Sequence, residues 1–115
     1  MSVDRGFVVL ITSDSLGRGD AELGEALTIK LLQELAGAPV QPERMLFLNS
    51  GVKLVAEGSP ALPHLRALEA GGVELRACGT CLEWFGLAGR VAVGKPTNMV
   101  AIVGELGAAR KVVSL

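Results

Sequence analysis

Aromatic side chains are nearly absent: 115 residues hold three Phe, one Trp and no Tyr. The core must therefore be aliphatic, and the surface offers few rings on which nucleic-acid bases could stack. An excess of either charge is also missing. Eleven Lys and Arg against twelve Asp and Glu leave a formal net charge of −1, so the basic footprint of a nucleic-acid partner is lacking. One His and two Cys fall short of the four ligands of a structural zinc site, and neither a metal nor a cofactor is expected. The first apolar run, Phe7 to Ile11, is far too short to span a bilayer. The polar start, Met-Ser-Val-Asp-Arg-Gly, has no signal-peptide character. The expected setting is cytoplasmic, with no membrane partner.

What is present is apolar and aliphatic. Half the residues are hydrophobic and 20% are charged, which excludes a disordered chain. The length suits one domain over residues 1–115. A mean hydropathy of +0.45 is high for so small a domain, and part of that surplus is expected in the interface of a homo-oligomer.

Two kinds of segment alternate. Phe7–Thr12 is continuously apolar and β-branched, the pattern of a strand covered on both faces. After the loop 13–19, Asp20 is placed to cap a helix running to Ala36, with Leu23, Leu27, Leu31 and Leu35 as its expected buried stripe. Strand two is Met45–Leu48, followed by a short helical turn over Val52–Ala56. Ser59 and Pro60 open the next helix, carrying Leu62, Leu65 and Leu68 to Gly71-Gly72. Strand three is Val73–Ala77, and a short helix over Leu82–Leu87 follows. Strand four is expected at Arg90–Val93, a helix opened by Pro96-Thr97-Asn98 comes next, and strand five is Lys111–Leu115. This βαβαβαβαβ order predicts a three-layer α/β sandwich on a five-stranded parallel sheet.

Open parallel sheets bind ligands beyond the carboxyl ends of their strands. Those ends carry Asp14, Gly17 and Gly19 after strand one, Asn49 and Ser50 after strand two, Gly79 and Thr80 after strand three, and Asn98 near strand four. Loops are polar and helices need caps, which accounts for some of these. It does not account for Cys78-Gly79-Thr80-Cys81 at the same edge. Thiolate is the reactive form of cysteine, and a helix N-terminus favours it. A Cys-x-x-Cys pair so placed suits a redox couple, a persulfide carrier or half a metal site, and its thiols are expected within bridging distance. Cys78 is expected on an exposed turn, open to a partner, with Cys81 inside the helix. Other motifs fail. Gly89-x4-Gly94-Lys95 mimics a phosphate-binding loop, but Pro96 stands where Ser or Thr is needed. Gly17-Arg18-Gly19 has Glu22 where a dinucleotide fingerprint needs its third Gly. His64 lies within a helix away from the cysteines and is no general base.

Four stretches, in order along nearly the whole chain, carry a resemblance: residues 13–24, Leu48–Leu54, Cys78–Cys81 and Val93–Met99. In these the chain resembles the DsrE-like domain of the sulfurtransferase-like selenium metabolism family, YedF. The resemblance implies a parallel five-stranded DsrE-like fold and an oligomeric carrier passing sulfur or selenium as a cysteine persulfide. Donor and acceptor proteins are implied as partners, among them a separate TusA-like protein. The family's nucleophile precedes a helix ending in Arg-Gly. Cys78 takes that position, Gly86 matches the closing Gly, and Phe85 replaces the Arg. Cys81 matches the extra thiol of the YedF-like pattern. On this reading Cys78 accepts the sulfur, and Cys81 releases it or protects the site. The alternatives are a thiol–disulfide redox protein and a non-enzymatic oligomeric small-ligand-binding module.

Overall fold

The computed structural model describes residues 2–115. Its strands are β1 (Ser2–Ile11), β2 (Val40–Phe47), β3 (Glu74–Cys78), β4 (Lys95–Thr97) and β5 (Lys111–Ser114). Its α-helices are α1 (Ala21–Ala36), α2 (Leu62–Ala70), α3 (Gly79–Trp84) and α4 (Met99–Ala108), with a 3₁₀ helix over Asn49–Val55. All strand pairs are parallel, in the order β4-β3-β2-β1-β5. From β1 to β4 the chain steps one way across the sheet, so right-handed crossovers put α1, α2 and α3 on one face. From β4 to β5 it reverses across the whole sheet, which puts α4 on the other. The result is the expected three-layer α/β sandwich.

Strand alternation assigns side chains to the two faces. Val9, Met45 and Leu75 are in register and buried toward α1 and α2. Val8 and Arg44 are in register on the α4 face, and Arg44 Nε lies 3.6 Å from Glu105 of α4. Among the described residues no helix is long and apolar enough to cross a membrane.

Several local expectations are corrected. The buried stripe of α1 is Gly24, Thr28 and Leu32, while Leu23 and Leu27 are exposed and Leu31 and Leu35 only partly covered. Two apolar stripes fit the four-residue spacing, and α1 turns the smaller side chains inward. Gly24 O accepts from Leu16 N–H at 3.0 Å, so the loop before α1 packs tightly on that face. Helix α2 begins at Leu62, not Pro60. Ser59 Oγ accepts from Ala61 N–H in the preceding turn, and Pro63 occupies the first helical turn. Strand β4 is Lys95–Thr97 rather than Arg90–Val93. The earlier segment is spent on the 3₁₀ helix and the turn after it: Ala92 N–H donates to Val55 O and Glu57 N–H to Arg90 O. Gly94 then turns the chain onto β3 with φ +75°, where a Cβ would lie 2.7 Å from Leu75 O. Only glycine meets both demands. Strand β1 starts at Ser2, because Ser2–Asp4 pair with Val40–Pro42 ahead of an irregularity before Val8.

Candidate functional site

The carboxyl ends of β1, β2 and β3 are tied together by three hydrogen bonds in series. Asp14 N–H donates to Ser50 Oγ at 3.3 Å, Ser50 N–H to Asn49 Oδ1 at 2.8 Å, and Asn49 N–H to Cys81 Sγ at 3.2 Å. Asn49 holds φ +50°, a left-handed conformation that Asn tolerates better than most residues. That turn aims its amide at the sulfur. The loop after β2 thus supplies a fixed donor to a thiol on the helix after β3.

Cys78 ends β3 as the residue immediately before α3, with extended φ −61° and ψ 121°. Its side chain is 2% exposed. The exposed turn expected for Cys78 is therefore corrected. Thr97 pairs with it in the β3–β4 register, and Gly79 lies so close to β4 that a Cβ would sit 3.2 Å from Thr97 O. Cys81 is the accessible thiol, half-buried in the first turn of α3. Both cysteines are free, and the two thiols are near enough to influence one another. Burial pushes the Cys81 thiol above the ordinary cysteine value. The Asn49 amide opposes that shift, and the Cys78 thiol adds to it.

Cys81 opens into a cleft of about 220 Å³, lined by Asn49, Thr80, Cys81, Trp84 and Phe85. Trp84 and Phe85 stand three and four residues after Cys81, the spacing that puts side chains on one side of a helical turn. Trp84, the sole Trp, is 85% exposed at the rim. Lys53 Nζ lies 4.6 Å from the centroid of the Phe85 ring. Sequence reasoning missed Trp84 and Phe85 as parts of this site. The signal was available in the helical spacing from Cys81 and the scarcity of aromatics.

Of the residues expected at the site, Cys78, Gly79, Thr80, Cys81, Asn49 and Ser50 come together. Asp14 joins them only through its backbone and lines a second cleft with Glu25 and Lys53. Gly17 and Gly19 shape the exposed loop before α1, with open space around them. Asn98 is committed to α4, its Oδ1 accepting from Ala101 N–H at 2.9 Å. No group of three or more His, Cys, Asp or Glu side chains is placed to hold a metal ion among the described residues.

No family model and no curated protein matches this chain. Solved structures do. The ychN protein from E. coli is 17% identical with a TM-score of 0.64, over 94% of this chain and 97% of that one. A protein of unknown function from Methanobacterium thermoautotrophicum, MTH1491, is 18% identical with a TM-score of 0.65 over all of both chains. Another from Bacteroides thetaiotaomicron, BT1422, is 14% identical with a TM-score of 0.65, over 96% and 95%. The chain shares the fold of these proteins, an α/β sandwich on a five-stranded parallel sheet.

Proposed function

We propose that this protein is a sulfurtransferase-like carrier that holds sulfur, or selenium, as a persulfide on Cys81, with Cys78 as the second thiol behind it. The observation that carries this reading is the Asn49 N–H···Sγ bond of Cys81 at the mouth of a small cleft. A backbone donor fixed on the sulfur favours its anionic form and holds it in place as it reacts. The accessibility of the two thiols supports this order of roles over the reverse, in which Cys78 takes the sulfur first.

Loading is a balanced exchange. The Cys81 thiolate attacks the outer sulfur of a donor persulfide, forming Cys81–S–S⁻ and releasing the donor thiolate. Delivery reverses the roles, an acceptor thiolate taking the outer sulfur and leaving Cys81 as thiolate. Cys78 offers a second exit: its thiolate attacks the inner sulfur, closing a Cys78–Cys81 disulfide and expelling hydrosulfide. Donor and acceptor proteins, a TusA-like one among them, are the partners proposed. Trp84 beside the cleft suits a protein contact, since exposed Trp is enriched at interface centres.

The nearness of the two free thiols favours one second reading, a thiol–disulfide redox protein. Mass spectrometry after incubation with a low-molecular-weight persulfide, of wild type and of Cys78→Ser, which cannot close the disulfide and so retains any sulfur it takes up, separates the two. A carrier gains one sulfur, about 32 Da, reversible by reductant. A redox protein loses two hydrogens and gains no sulfur.

A further inference from the structure

The 3₁₀ helix over Asn49–Val55 carries a second polar group toward the site besides the Asn49 amide. Gly51 lets this helix lie directly on the end of β1, where a Cβ would sit 2.5 Å from Ile11 O. Val52, Leu54 and Val55 are buried, which leaves Lys53 pointing outward. Its ammonium rests 4.6 Å from the centroid of the Phe85 ring. Phe85 lines the Cys81 cleft and also a neighbouring cleft of about 390 Å³, which Lys53, Glu57 and Leu87 border. Lys53 forms no ion pair among the described residues. It is also the one cation among the described residues that line the clefts at this edge. Asp14, Glu25 and Glu57 border the outer clefts, and no carboxylate lines that of Cys81. An ammonium on a ring face keeps its charge and its three donors, and a carboxylate binds them more strongly than the ring does.

We infer that Lys53 is the anion-binding side chain of the Cys81 site, and that the sulfur donor it selects is a small persulfide whose tail ends in a carboxylate. The inference rests on Cys81 being the thiol that takes up sulfur. The donor's sulfur lies against Cys81, its stem over the Phe85 ring, and its carboxylate against Lys53. Spacing supports this arrangement. Residues four apart on a helix, as Cys81 and Phe85 are, have Cβ atoms about 5–6 Å from one another. Lys53 adds its 4.6 Å to the Phe85 ring. One or two amino-acid residues cross such a span, at about 3.3–3.6 Å each. The three carboxylates of the outer clefts repel an anion that reaches beyond Lys53, which favours a short donor. Lys53 acts on the ligand and not on the thiol. The influences on the Cys81 thiol are burial, the Asn49 amide and Cys78.

Two alkylating reagents of one size test the anion site without any sulfur transfer: iodoacetylglycine, which ends in a carboxylate, and its neutral amide. Both are reacted with Cys78→Ser, in which Cys81 is the single thiol, and the rates are divided by those for free cysteine. The carboxylate reagent is expected to react about tenfold faster than the amide at low salt, and to lose most of that advantage at high salt. Adding Lys53→Met abolishes the preference and leaves the amide rate unchanged. Lys53→Arg keeps the preference, and Lys53→Glu reverses it. Since Lys53 is exposed, circular dichroism of each variant stays native-like. Equal rates for the two reagents, or a preference that survives Lys53→Met, overturn the inference. Sulfur uptake from N-acetylcysteine persulfide and from its amide then separates this inference from the carrier reading. Uptake that favours the carboxylate donor and loses that bias in Lys53→Met supports both. Equal uptake from both donors, unchanged by Lys53→Met, keeps the carrier and overturns the role of Lys53. Uptake from neither, with the alkylation preference intact, keeps the anion site and overturns the carrier and its donor.

Discussion

The backbone amide of Asn49 donates to the sulfur of Cys81 at 3.2 Å. Thirty-two residues separate them in sequence, and the contact exists because β2 and β3 are neighbours whose carboxyl ends lie side by side. It joins a residue in a left-handed turn to a thiol in the first turn of a helix.

That relationship ranks the two thiols. Iodoacetamide should modify Cys81 at least about tenfold faster than buried Cys78, because only the accessible sulfur meets the reagent without local opening. Persulfide uptake should follow the same order: Cys78→Ser retains the adduct and Cys81→Ser loses most of it. Peptide mapping by mass spectrometry reads both. Uptake lost in Cys78→Ser and kept in Cys81→Ser would assign the roles the other way.

The reactivity of Cys81 should rise with pH through an inflection above the ordinary cysteine value, since burial disfavours its thiolate. The Cys78 thiol pushes in the same direction. Cys78→Ala should therefore move the inflection down, though not fully to the ordinary value, because burial is the larger cause. The pH profile of the alkylation rate measures this.

Gly94→Ala should destabilise the fold by roughly 1–3 kcal/mol through backbone strain alone. The close approach of a Cβ to Leu75 O adds to that. Urea unfolding followed by circular dichroism provides the number. An unchanged midpoint would mean that β4 can reach β3 by another path.

Glu74 should contribute a small acid sensitivity. Its hydrogen bond from Arg44 holds its carboxyl below the usual carboxylate value, against an opposing push from burial. A carboxylate depressed in the folded state stabilises fully above its unfolded value and loses that contribution as pH falls through the folded one. Since Glu74 is partly exposed, the effect belongs with surface pairs, about 0–1 kcal/mol. Thermal melts between neutral and acid pH should show a shallower decline for Glu74→Gln than for wild type.

The parallel α/β order was readable because β1 and β2 each contain a compact apolar run and α1 and α2 each end at a glycine stop. β4 was misread for a physical reason. Arg90–Val93 has strand-like residues, yet Lys95-Pro96-Thr97 forms the ladder, because an edge strand needs pairing on one side and accepts a proline. The stripe of α1 was misread because leucine outranks glycine and threonine by hydrophobicity, whereas the packed loop under α1 rewards small size. At the site, the cysteine pair and Asn49 were visible as residues, and their contact was not. It depends on strand adjacency and on one positive φ, which no local pattern encodes. The burial of Cys78 likewise follows from β4 lying alongside it.

The reversal of the chain between β4 and β5 also has a kinetic consequence. β5 pairs with β1 across about a hundred residues of sequence, and Thr12 bonds to Leu115 through both its amide and its hydroxyl. Contacts between such distant positions form late, because a long loop must close before any of them is gained. Until α4 has crossed the sheet, β1 is an open edge offering Phe7–Ile11 to any strand it meets. Synthesis runs from the amino end, so this aliphatic edge waits until β5 has been made. In the nascent chain it is therefore the segment most exposed to misassembly, and the one a chaperone would cover first.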